Sequence, residues 1–140
     1  MKHARLIHLD NNYLTSLHDP VSTAKYQVVD WLWTGEKIGT SAVAWMEFLS
    51  GPKDGPRDAT QITYTRRMLS GGITPFGEIE AEYAAYLFDR LGRPRSIKAR
   101  LRMDCLIAAC AISSNALLAT GNVRDFQNFV HYGLELAVPS

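Results

Sequence analysis

Cysteine is scarce: only Cys105 and Cys110 occur among 140 residues. Five positions apart on a helix, they fall on different faces and do not bridge each other. A disulfide-stapled scaffold is therefore excluded, and buried, reduced thiols are expected. No His/Cys pair stands at zinc-ligand spacing, and His3, His8, His18 and His131 are scattered along the chain. An excess of one charge is also lacking, because 15 Lys and Arg balance 14 Asp and Glu to leave a formal net charge of +1. Nothing in that balance steers a polyanion from a distance, so nucleic-acid binding requires a local basic patch or a metal. No apolar run approaches the roughly 20 residues that cross a bilayer. No long apolar leader with a small-residue cleavage site opens the chain, and the expected location is the cytoplasm. A Walker loop, a G-x-S-x-G elbow and a convincing Cys/His nucleophile pair are all missing. Without repeats, low-complexity tracts or a linker, residues 1–140 are expected to form a single domain. A chain of this size buries roughly 68–70% of its unfolded surface, enough to fold without a staple.

The chain is organised around Met103 to Ala111, where one acid, Asp104, precedes a run of small apolar residues. The run reads as a buried helix. Asp104 is placed in its first turn, where free backbone N–H groups and the helix dipole favour a carboxylate. Helix-start acids are common, so this stretch alone does not separate a structural role from a functional one. Ala4 to Leu9 reads as a buried strand ending at Asp10-Asn11-Asn12, which makes Asp10 either an N-cap or a ligand at a strand edge. A helix is expected from Ser22 or Thr23 through Trp33, with Val28, Val29, Leu32 and Trp33 inward. Lys37 to Thr40 is a second strand, and Ser41 caps a helix from Ala42 to Leu49 that Gly51-Pro52 stops. Glu47 lies in that helix among apolar neighbours and needs either a metal or an arginine. Lys53 to Arg57 is a loop. A helix from Asp58 to Leu69, a strand at Ile73 to Pro75 and a helix from Glu78 to Leu91 follow. In the last of these Ile79, Tyr83, Tyr86, Leu87 and Leu91 mark the inner face. Strands at Ala116 to Ala119 and Leu134 to Val138 complete an α/β pattern with a mostly parallel sheet.

Three acids and an amide–acid pair stand out: Asp10, Glu47, Asp104 and Asn122/Asp125. If the strands are parallel, Asp10 and Asn122 share one edge of the sheet, and the helices carrying Glu47 and Asp104 can pack beside it. Carboxylates gathered together repel one another unless they bind a hard cation, and Mg²⁺ or Mn²⁺ suits oxygen ligands. Arg93, Arg95, Lys98, Arg100 and Arg102 form the one strongly basic segment, running directly into Asp104. Cations beside an acidic cluster fit a polyanion that must approach a repulsive site. Together they suit phosphodiester hydrolysis by a metal-activated water.

Four stretches, in order, carry a family resemblance: Ile7-His8-Leu9-Asp10-Asn11-Asn12; Ser41 with Glu47 and Gly51; Asp104-Cys105-Leu106-Ile107-Ala108-Ala109; and Thr120-Gly121-Asn122-Val123-Arg124-Asp125-Phe126. Over nearly its whole length the chain resembles the PIN-domain family, and most of all the VapC-type ribonuclease toxins. The resemblance implies a three-layer α/β/α fold with four to five strands and Mg²⁺- or Mn²⁺-dependent endoribonuclease activity. It further implies a homodimer, for which Tyr83, Tyr86 and Trp31 are the candidate aromatic contacts, and neutralisation by a cognate antitoxin. By motif match Asp10, Glu47 and Asp104 take the family's acidic positions. Asn122 takes the fourth, with Asp125 near enough to compensate. Asn11 replaces the small hydroxyl residue common after the first acid. Asp10, Asp104, Glu47 and Asp125 are the expected metal ligands, and Asn12 joins the basic segment as an expected RNA contact. Two readings of other kinds stand beside the toxin ribonuclease: a PIN-like module that binds RNA or a protein without cutting, and a DNA-directed nuclease.

Overall fold

The computed structural model describes residues 5–51, 57–91 and 99–137, with the backbone alone at 99 and 100. Five strands make one sheet: β1 (Leu6–Leu9), β2 (Lys37–Ser41), β3 (Gly72–Thr74), β4 (Leu117–Ala119) and β5 (Glu135–Leu136). Their order is β3-β2-β1-β4-β5, and every neighbouring pair is parallel. The expected α/β architecture is present, and the sheet is wholly parallel. Helices flank it: α1 (Asn11–Ser16), α2 (Thr23–Trp33), α3 (Ala42–Ser50), α4 (Ala59–Met68), α5 (Glu78–Arg90), α6 (Ala99–Ser113) and α7 (Val123–Phe126). A 3₁₀ turn, Gln127–Tyr132, follows α7.

Local chemistry sets most boundaries. β1 is central, so Ile7, His8 and Leu9 are all buried and the strand shows no polar alternation. Side-chain oxygens cap four helices: Asp10 accepts from the Asn11 N–H, Ser22 from Lys25, Ser41 from Ala44 and Asp58 from Thr60. Each satisfies a backbone donor that the helix itself leaves open. The Glu80 carboxylate reaches back to the Gly77 N–H at 2.8 Å to open α5. Gly51, at φ +74°, ends α3 in a conformation a side chain would strain.

α6 packs against α3, α5, α7, β2 and β4, and Ile107 to Ala111 are buried without interruption. A helix apolar on all sides belongs inside a fold. Its described part begins at Ala99, five residues before Asp104, which therefore lies past the first turn where it was expected. The dipole argument for that carboxylate therefore fails, because the open N–H groups are confined to the helix start. Trp33 is also misplaced by the periodicity: it is 85% exposed, whereas Trp31 is 8% exposed and packs in the core with Val28. Trp31, expected as an aromatic contact of a homodimer, is largely enclosed by its own chain. Along α5 the buried positions are Ala84 and Leu87, while Ile79 and Tyr86 are exposed. The small side chain of Ala84 lets α5 approach α6, and Tyr86 stacks edge-on with Tyr83 and Tyr132 instead. Val138, expected in the last strand, lies outside the described residues.

Candidate active site

The strand order creates a switch point. From β1 the chain proceeds to β2 and β3 on one side, then crosses to β4 and β5 on the other. The connections leaving the carboxyl ends of β1 and β4 diverge there, opening the crevice where such sheets bind ligands. Asp10 follows β1, and Thr120-Gly121-Asn122 follow β4. The Asp10 N–H donates to the Ala119 carbonyl at 2.9 Å, locking the two strand ends together.

Asp10 is 6% exposed. One carboxylate oxygen accepts from the Asn11 N–H at 2.7 Å and the other from the Thr120 hydroxyl at 2.8 Å. Burial pushes its pKa above the ordinary aspartate value, while those two hydrogen bonds pull it back. Asp10 is thus an N-cap and a buried acid at the crevice at once. Thr120 also accepts from the Asn122 N–H at 3.0 Å, so a single hydroxyl couples β4's exit to Asp10. Its importance was missed in the sequence. A threonine after a strand is ordinary, and only the tertiary fold shows which acid it meets.

Glu47 stands on α3, whose first turn is capped by the buried Ser41 at the end of β2. Burial pushes the Glu47 carboxyl upward, and the negative charge of Asp10 adds to the push. The fold therefore brings Asp10 and Glu47 within electrostatic reach. Asp104 is buried on α6, 6% exposed, beside α3. Its charge adds to the burial that pushes the Cys105 thiol up to about 11. Cys110 is likewise buried and raised, to about 12, and both thiols are free.

Asn122 is exposed and precedes α7 without a side-chain capping bond. Asp125, half-buried in α7, accepts from the Asn128 amide through its backbone carbonyl. Asn12 is held: its side-chain oxygen accepts from the Gly121 N–H at 3.3 Å, tying the β1 exit to the β4 exit. A Cβ on Gly121 would meet the Asn12 amide nitrogen at 2.6 Å, which accounts for glycine there. Asn11 faces Thr15, whose hydroxyl donates to it at 3.4 Å. Among the described residues, no three His, Cys, Asp or Glu side chains converge to hold a metal ion. Asp10 and Glu47 nonetheless bring two carboxylates within electrostatic reach, and Mg²⁺ takes one or two carboxylates while retaining water.

Of the basic segment, Arg93, Arg95 and Lys98 and the side chain of Arg100 lie outside the described residues. Arg102 is exposed, its guanidinium carbon 5.5 Å from the Phe88 ring centre. It borders an apolar groove of about 510 Å³ between α5 and α6, lined also by Phe76, Ala84 and Leu106.

A wholly parallel sheet with a buried acid at its switch point, and a second acid from the neighbouring helix, defines an α/β domain whose candidate site lies at its strand ends. The PIN-domain family model matches residues 7–131, and the chain belongs to that family. Among solved structures it is similar to VapBC2 from Rickettsia felis bound to a DNA fragment from its promoter, at 22% identity, TM-score 0.73, covering 94% of this chain and 97% of that one. A toxin–antitoxin complex from Klebsiella pneumoniae is similar at 25% identity and TM-score 0.66, covering 98% of each chain. DNA-bound VapBC from Salmonella typhimurium follows at 17% identity and TM-score 0.70, covering 96% and 98%. No curated protein matches the chain. No described helix is long and apolar enough to cross a membrane.

Proposed function

We propose that this PIN domain is a metal-dependent endoribonuclease and the toxin of a toxin–antitoxin pair. The observation that carries the proposal is the pairing of Asp10 with Glu47 at the switch point: two carboxylates, each pushed toward protonation, one by the charge of the other. A hard dication relieves that strain, and the donor chemistry fits Mg²⁺ or Mn²⁺. Asp10 and Glu47 would hold the ion, with Asp104 and Asp125 reaching it through metal-bound water. Bound there, the metal supplies a water of lowered pKa and charge stabilisation for the leaving oxygen. Thr120 favours the ionised form of Asp10 by donating to it, partly offsetting its burial. Asn122, next to that hydroxyl, offers an amide to substrate or water. The likeness to toxin–antitoxin complexes supports a cognate antitoxin as partner, and the same reading includes a homodimer acting in the cytoplasm.

The neutral Asn122, where many such sites carry an acid, favours a second reading: a module that binds RNA without cutting. Cleavage of a structured RNA pool separates the two. With Mg²⁺ or Mn²⁺, fragments are expected that vanish in EDTA and in Asp104→Asn, while the variant keeps its fold by circular dichroism. Intact RNA in every lane from folded, antitoxin-free protein, together with salt-sensitive RNA binding, would establish the binding module instead.

A further inference from the structure

Arg57 has no part in the site above. It lies just before α4, half-buried, and its Nε–H donates to the Phe48 carbonyl in the last turn of α3 at 2.8 Å. One Nη2–H reaches Thr15 Oγ1 on α1 at 3.5 Å. The guanidinium carbon stands 4.3 Å from the centre of the Phe48 ring. The side chain therefore occupies the seam between α1 and α3, the helix that Asp10 caps and the helix that bears Glu47.

Among the described residues no carboxylate lies within ion-pair distance of Arg57, and the described ion pair is Arg5 with Glu135 at 2.9 Å. Burial disfavours the cation, yet arginine stays protonated in proteins. Partial desolvation of a cation with no carboxylate partner among the described residues is costly, and an anion presenting oxygens to the remaining N–H groups recovers that cost. Ring stacking and the carbonyl bond hold the guanidinium plane in place, as suits forked recognition of phosphate. Thr15 stands five residues along α1 from Asp10, about 7.5 Å of helix rise. That is close to the stride between neighbouring phosphates on an extended strand.

We propose that Arg57 is a positioning residue that grips a backbone phosphate of the RNA beside the scissile one, setting the strand's register against Asp10 and Glu47. This rests on the ribonuclease reading. The bond is a charge-assisted contact to phosphate oxygens, with no sequence preference of its own. It also supplies a cation in the seam between α1 and α3 independently of the segment from Arg93 to Arg102.

The test measures affinity for a single-stranded oligoribonucleotide in EDTA, so that nothing is cut, across a salt series. Parent protein, Arg57→Gln and Arg57→Lys are compared, with unfolding curves for each. Arg57→Gln is expected to bind more weakly and to lower the slope of log affinity against log salt by about 0.7, one phosphate contact on a single strand. Arg57→Lys keeps the charge and the slope, but loses the fork. In Mg²⁺ it raises KM more than it lowers kcat. An unchanged slope in folded Arg57→Gln would overturn the proposal. RNA is also expected to protect Arg57 of the parent from phenylglyoxal, read by peptide mass, and absence of protection overturns it without any variant. If the parent itself shows no salt-dependent RNA binding, the ribonuclease reading falls with it. If the parent binds and only these Arg57 results fail, that reading stands.

Discussion

At the scale of single residues, burial of polar groups dominates. His8 is 1% exposed in the central strand, and its Nε2 stands 2.9 Å from the Thr74 hydroxyl of β3, reaching past β2. Its Nδ1 is buried without a hydrogen-bond partner among the described residues. Burial lowers its pKa from 6.5 to about 4, so the folded protein holds it neutral. Below 6.5 the unfolded chain takes up a proton that the folded chain refuses until about 4. The stability His8 contributes is thus complete above pH 6.5 and is lost as pH falls toward 4. Asp10 and Glu47, with raised pKa values, act in the opposite sense on acidification, so the effect is read as a difference. Urea unfolding of the parent and His8→Asn from pH 7.5 down to 4.5 should show the parent losing more stability, by up to about 3 kcal/mol. Parallel pH profiles would contradict a buried neutral imidazole. Cys105 and Cys110 show the same physics without a role in the chemistry proposed here: buried and raised, they are inert thiols.

At the scale of elements, the close approach of strands is the telling feature. Gly39 on β2 is paired with Gly72 on β3. A Cβ at Gly39 would stand 2.8 Å from the Gly72 carbonyl oxygen and 3.1 Å from a Leu6 methyl. The first neighbour is backbone and cannot rotate away. Gly39→Ala should therefore push β3 from β2 and destabilise the protein by about 1–3 kcal/mol, as overpacking does. Hydrogen exchange should rise first at the amides β3 shares with β2; a variant as stable as the parent would show that the edge strand yields freely. Helix caps were legible in the sequence where a hydroxyl or carboxylate stands one to three residues before the donor it satisfies: Ser41 caps where expected, while Asp58, read as the first residue of its helix, is the cap. Helix faces were less legible. Trp31 and Trp33 differ by two positions, and only the direction from which the sheet approaches α2 selects Trp31 for the core. Asp104 was placed a turn too early because α6 extends back through cations that carry no apolar period.

At the scale of the whole molecule, Asp10 from the first strand and Glu47 from the third helix are brought together by the parallel order β2-β1-β4. If they hold a divalent cation, folding and metal binding are linked. Mn²⁺ at about 100 times its dissociation constant should stabilise the parent by about 2.7 kcal/mol, seen as a rise in Tm. Glu47→Gln should lose most of that rise while slightly raising the metal-free Tm, because a repulsive charge is gone. Equal Mn²⁺ responses in both proteins would remove Glu47 from the ligand set.

The sequence by itself determined the α/β class and the approximate element boundaries, and it singled out the acids Asp10, Glu47 and Asp104. These follow from short-range patterns: apolar runs, capping hydroxyls and carboxylates, and turn glycines. Only the tertiary structure decided the strand order, the hydroxyl of Thr120 on Asp10, the tether from Asn12 to Gly121 and the seat of Arg57 between α1 and α3. Those contacts join residues from 9 to 110 positions apart. A hydrogen bond between distant residues leaves no period or spacing in the chain. It exists because burying the core of β1, β4 and α6 brings the strand ends to one edge, and the polar groups there must then satisfy one another.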